Sequence, residues 1–132
     1  MLKITRKVEY ALIALRHLQQ LDKDELSSAK SMALLYGIPQ ELLAKILQKL
    51  SKKRIVQAVK GSQGGYKLSS DPNKINMTNF FEIMEGPMGI MDCYFDTQCE
   101  QLKSCTIREP INRINENIRS MFNKMTLADI TY

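Results

Sequence analysis

Near residue 54 the hydrophobic period of the chain changes from that of a helix to that of a strand, and this change limits the folds open to it. Before it, apolar residues recur at Val8, Leu12 and Leu15 and at Ala11, Leu15 and Leu18, which predicts one helix from Val8 to Leu21. Leu26-Ser27-Ser28 offers capping oxygens to a short helix, Ala29 to Tyr36, which Gly37 ends. Pro39 suits the first turn of a third helix, where its missing N–H has no partner to lose. That helix runs through Leu42, Leu43, Ile46, Leu47 and Leu50 to about Lys53. After the change, Ile55 to Val59 predicts a strand, Lys60 to Gly65 a turn, and Tyr66-Lys67-Leu68 the returning strand, closed by Asp71-Pro72-Asn73.

The remaining chain is helical again. Thr78 is placed to cap a helix from Asn79 to Glu85, and Gly86-Pro87 stops it. Residues 87 to about 108 read as a loop, and Pro110 opens a last helix. There Ile111, Ile114, Ile118, Met121 and Met125 follow the 3, 4, 3, 4 spacing of a coiled-coil stripe. Two and a half heptads do not stand alone. Packing on a second copy explains the stripe, with docking onto the first helix as the alternative.

The expected architecture is mainly α with a small β-hairpin wing: a winged helix-turn-helix followed by a long C-terminal dimerisation helix. Residues 1–77 form the DNA-binding part, 78–108 a linker helix and cysteine loop, and 109–132 the dimerisation helix and tail. A length of 132 residues allows one compact domain with a small appendage. No run of 18 apolar residues exists to span a membrane, and the first residues lack a signal-peptide pattern, so a cytoplasmic location is expected. With no nucleophile–base pair, phosphate loop or paired carboxylates in view, an enzyme is not expected.

Charge is unevenly spread. Residues 1–70 carry 13 Lys/Arg against 5 Asp/Glu, and residues 71–132 carry 6 against 9. A basic first half suits a polyanion, and a narrow exposed helix suits a DNA major groove. The outward positions of the third helix are Gln40, Glu41, Ala44, Lys45, Gln48 and Lys49. Lys and Gln can donate to base edges or phosphates; Glu41 can accept from a cytosine amine or favour the positive helix end. The wing adds Lys60, Gly61, Gly64, Gly65, Tyr66 and Lys67. Its lysines can reach phosphates or a minor groove, and its glycines allow close approach to a neighbouring surface.

Cys93, Cys99 and Cys105 are spaced C-x5-C-x5-C, and they are the chain's only cysteines. An odd number in a cytoplasmic protein argues against a disulfide framework. Three thiolates on one loop can converge on a soft metal. A cluster of four irons needs a terminal ligand for each iron, so three cysteines leave one position for another residue and make the site exchange-prone. Structural zinc or three free thiols are the alternatives.

Taken together, residues 3–12 (Lys-Ile-Thr-Arg-Lys-Val-Glu-Tyr-Ala-Leu), the wing Lys60-Gly61-x-x-Gly64-Gly65-Tyr66 and the triple cysteine resemble the IscR/NsrR-type regulators over nearly the whole chain. The resemblance implies a bacterial homodimeric transcription factor that binds an iron–sulfur cluster near its dimer interface and contacts DNA through the third helix and wing. IscR-like members place a histidine three residues after the last cysteine; Arg108 stands here and cannot ligate. NsrR-like members use an acidic residue near the N-terminus of the other subunit, and Glu9 takes that position. The implied ligand set is Cys93, Cys99, Cys105 and Glu9, around [4Fe–4S] in preference to [2Fe–2S]. The only histidine, His17, lies roughly 80° away from Glu9 around the helix and reads as an ordinary half-exposed side chain.

The expected function is a dimeric regulator of a DNA operator that senses nitric oxide, redox state or iron supply. A thiol-based or zinc-binding DNA regulator, or an iron–sulfur carrier, is the alternative.

Overall fold

The computed structural model describes residues 3–91 and 98–131. Helix α1 (Arg6–Gln19) is the hub, packing against every helix except α2 and α5 and against the wing. Thr5 caps it: Oγ1 accepts from the Val8 N–H, and the same hydroxyl donates to Glu85 across the fold. Val8, Ala11, Ala14, Leu15 and Leu18 are buried, and their spacing is the inner stripe of an amphipathic helix.

Helix α2 (Ala29–Tyr36) keeps the expected limits, with the Ser28 Oγ accepting from the Ser31 N–H at 3.0 Å. Gly37 ends it in the left-handed region, φ +64°, and lets the chain turn into α3. Helix α3 (Gln40–Lys52) buries Leu43, Ile46, Leu47 and Leu50. Strands β1 (Val56–Val59) and β2 (Gly65–Leu68) pair antiparallel, with Val56 opposite Leu68 and Val59 opposite Gly65. The Ser27–Tyr66 bridge joins this wing to the residue just before the α2 cap.

A 3-10 turn (Pro72–Lys74) leads into α4 (Met77–Glu85). This helix starts two residues before the expected Asn79. Asn76, not Thr78, is its cap, accepting from the Asn79 N–H at 2.8 Å. Thr78 lies inside the helix, buried, with its hydroxyl turned to the Arg119 carbonyl.

Helix α5 (Arg108–Asn123) begins two residues before Pro110. Proline is still accommodated, because first-turn N–H groups have no partner within the helix. The chain then turns back into the fold. Met77 N–H donates to the Met125 carbonyl and Leu127 N–H to the Ile75 carbonyl. A short helix α6 (Leu127–Thr131), absent from the sequence reading, buries Leu127 and Ala128. The core therefore collects residues from both chain ends around Phe80, Leu15, Leu43 and Leu47.

Candidate nucleic-acid interface and cysteine segment

Packing four apolar residues on one side of α3 leaves the other to solvent. Gln40, Glu41, Lys45, Gln48 and Lys49 are exposed there, and Ala44 is half-buried. Glu41 in the first turn and Lys49 and Lys52 in the last suit the helix dipole at each end. The Lys49 ammonium also donates to the Met84 carbonyl at 3.4 Å, which ties α3 to the end of α4.

The wing tip, Lys60 to Gln63, is exposed, while Gly64, Gly65 and Tyr66 are half-buried. A Cβ on Gly64 would stand 2.1 Å from the Val59 carbonyl oxygen. One on Gly65 would stand 2.8 and 2.9 Å from the Ser27 carbonyl carbon and oxygen. The surface these two glycines approach is the protein's own. Ser27 N–H donates to the Tyr66 carbonyl at 3.1 Å and Tyr66 N–H to the Ser27 carbonyl at 2.8 Å, while the Tyr66 ring packs on the core. Gly64, Gly65 and Tyr66 thus set the wing's angle, and Lys60 and Gly61 form its free tip.

Sequence reasoning missed one network. His17 is half-exposed as expected, yet Nδ1 lies 2.9 Å from the Tyr36 hydroxyl and Nε2 3.0 Å from Ser27 Oγ. The Tyr36 ring meets the imidazole edge-on, with centroids 5.5 Å apart. One imidazole therefore joins α1, the end of α2 and the residue that holds the wing. No spacing rule links positions 17, 27 and 36; only the tertiary fold does.

Cys93 lies outside the described residues. Cys99 is exposed and Cys105 half-exposed, both free thiols, with the chain between them in successive turns (Leu102 N–H to Cys99 O, Ser104 N–H to Gln101 O). Among the described residues, no three His, Cys, Asp or Glu side chains gather closely enough to hold a metal ion. Glu9 is half-exposed on α1, and Arg6 donates to its carboxylate at 3.0 Å. The start of the cysteine segment is fastened to α5. Ile90 N–H donates to Asn115 Oδ1 at 2.9 Å, and Arg119 donates to the Met88 carbonyl at 3.1 Å and to Glu82 at 2.7 Å.

The stripe predicted for self-association divides. Ile114 and Met121 are 48% and 52% exposed, Ile111 and Ile118 are partly so, and Ile107 extends the stripe one turn earlier. Met125 lies beyond the end of α5, packed against the core. Beside the stripe is an apolar cleft of about 470 Å³, lined by Ile4, Val8, Phe81, Met88, Ile118 and Phe122.

A reading helix with one buried face, a basic hairpin locked beside it and a long helix carrying exposed apolar residues define a winged helix-turn-helix DNA-binding regulator. No described helix is long and apolar enough to cross a membrane. The chain belongs to the Rrf2 family of iron-dependent transcriptional regulators, whose family model matches residues 4–132. It is 26% identical over 131 residues to the HTH-type transcriptional regulator NsrR of Geobacillus kaustophilus, covering 98% of this chain and 89% of that one. Among solved structures it resembles CymR, the global cysteine regulator of B. subtilis, with a TM-score of 0.75, 26% identity and coverage of 99% and 97%. It also resembles T. potens IscR, with a TM-score of 0.71, 25% identity and coverage of 97% and 85%.

Proposed function

We propose that this regulator works as a homodimer on a two-fold operator and reads a labile iron–sulfur cluster, [4Fe–4S] by preference. Cys93, Cys99, Cys105 and Glu9 of the second subunit would hold the cluster. The donor chemistry suits it: two described thiols are free and within reach of solvent, and a half-exposed carboxylate lies on α1. When bound, the cluster supplies iron sites open to small diatomic ligands, oxidants or loss of iron. The observation that carries the proposal is the fastening of the cysteine segment's stem to α5, whose other side bears the exposed stripe.

The chain's residues then divide the work. Lys45, Gln48, Lys49 and Gln40 enter a major groove with Glu41 and Ala44 at their edge, and Lys60 and Gly61 of the wing meet the backbone beside it. Ile111, Ile114, Ile118 and Met121 pack on a second copy. Two reading helices must stand about 34 Å apart to meet successive half-sites. Asn115 and Arg119 hold the loop stem on α5, so a change in the loop alters the strength or geometry of that spacing. A coupling of about 1–3 kcal/mol changes operator occupancy by roughly 5- to 150-fold.

Native mass spectrometry of anaerobically reconstituted protein, with gel shifts of the cluster-bound and cluster-free forms, tests this reading. Iron and sulfide in the mass, together with an affinity difference of that size that falls steeply with salt, is the expected result. A second reading is thiol-based regulation without metal, favoured by the similarity to the cysteine regulator CymR. Colourless, metal-free protein whose DNA affinity follows the thiol oxidation state would establish that reading in place of the first.

A further inference from the structure

Helix α5 turns polar residues inward. Arg108, Asn112, Asn115 and Arg119 follow a 4, 3, 4 spacing and so form one continuous face, while Ile107, Ile114 and Met121 are exposed on the other. The lower half of the polar face is occupied, since Asn115 and Arg119 hold Ile90 and Met88. Three buried atoms on this face have no hydrogen-bond partner: Arg108 Nε, Asn112 Oδ1 and Asn115 Nδ2. Asn115 is 1% exposed, and its bond from Ile90 N–H fixes which end of the amide is the oxygen. Its Nδ2 is therefore a committed donor. Buried unpaired polar atoms are rare in native proteins and each costs about 1–3 kcal/mol, so three on one helix face call for an occupant.

The occupant must accept hydrogen bonds and lie beside the cysteine segment. Cys105 precedes Arg108 by three residues, and the segment's other end is pinned at Ile90. Thiolate and sulfide sulfurs are acceptors, and donors directed at them tune cluster potential and retention. We propose that Arg108 and Asn115 are positioning residues that donate N–H groups to the sulfurs of the cluster. Asn112, whose amide no printed bond fixes, turns to bond the cysteine segment's backbone. This inference rests on the iron–sulfur reading above.

The test compares Arg108→Gln and Asn115→Asp with wild type, and with Arg113→Gln, which removes the same charge from an exposed position on α5. Asn115→Asp keeps the acceptor for Ile90 and removes the Nδ2 donor; Arg108→Gln sits in the first helical turn and spares the buried centre. Iron per chain is counted by native mass spectrometry, iron release to a chelator is followed by visible absorption, and cluster-free protein is melted by circular dichroism. The expected result is wild-type loading followed by iron release 10- to 100-fold faster in both variants, with a shifted visible spectrum. Arg113→Gln and the cluster-free melts should match wild type. Wild-type release rates in loaded variants, or faster release in proportion to lower cluster-free melting, would overturn the assignment and leave the iron–sulfur reading standing. An iron-free wild type would overturn both.

Discussion

Gly65→Ala tests whether the wing is set from within the protein. The added methyl would stand 2.8 Å from the Ser27 carbonyl carbon and 2.9 Å from its oxygen, both backbone atoms that cannot rotate away. Reaching ordinary contact at 3.4 Å requires the strand to retreat by roughly 0.6 Å. That movement pulls on the two bonds joining Ser27 to Tyr66, at 2.8 and 3.1 Å. A net ~0.5–1.5 kcal/mol per hydrogen bond puts the stability loss at about 1–3 kcal/mol. Urea unfolding measures this loss, and a fluorescence-anisotropy titration of operator DNA measures the consequence for the wing. Because the wing tip moves relative to α3, operator affinity should fall by at least fivefold at a urea concentration of zero, where the variant remains folded. Ser62→Ala, at the exposed tip, is the control and should leave stability unchanged. Stability within 0.5 kcal/mol of wild type, together with unchanged operator affinity, would refute the claim that Gly65 sets the wing against Ser27.

His17→Ala removes the bonds to Tyr36 and Ser27 and should cost about 1–2 kcal/mol in urea unfolding, with weaker operator binding; an unchanged midpoint would show the network to be incidental. Ile114→Glu, on an exposed position of α5, should leave secondary structure intact by circular dichroism yet give a monomer in sedimentation velocity; a persisting dimer would place the interface elsewhere. Bonds from the Asn73 backbone N–H and side-chain amide hold the Asp71 carboxyl below its ordinary range. Its stabilising effect is complete above the unfolded carboxyl range and fades as pH falls through the lowered folded value. Asp71→Asn should therefore flatten the stability curve only on the acid side of about pH 4, and a difference at neutral pH would argue against this origin.

The parts of the fold that were legible are those whose signals lie within a few residues. Ser28 and Gly37 bracket α2 with a capping hydroxyl and a left-handed turn, so both ends of that helix were readable. At α4 two capping residues compete, and local chemistry does not rank Asn76 above Thr78. The choice falls to burial, because Met77 must enter the core and Thr78 meets the Arg119 carbonyl 41 residues away. Helix α6 is only five residues long, too short to show a period, and it exists through pairing of Asn76 with Thr126 across the chain. Met125 extends the stripe by spacing alone. The helix has ended at Asn123 before reaching it.

The candidate site follows the same division. The exposed edge of α3 was legible because one helical period determines both its faces: burying Leu43, Ile46, Leu47 and Leu50 leaves Gln40, Glu41, Lys45, Gln48 and Lys49 outside. On α5 the same reasoning follows the apolar residues and passes over the polar ones between them. Asn115 nevertheless is buried while Ile114 and Met121 are exposed, an inversion of the usual arrangement. Such a helix is poorly satisfied as part of a lone globular chain. Its exposed stripe calls for an apolar partner and its buried amides for hydrogen-bond partners, so one element bears the demands of both the dimer and the sensing segment. A change that satisfies or releases the inner face therefore acts on the helix that also presents the outer one, and this shared helix is the shortest physical route from the cysteines to the spacing of the reading heads.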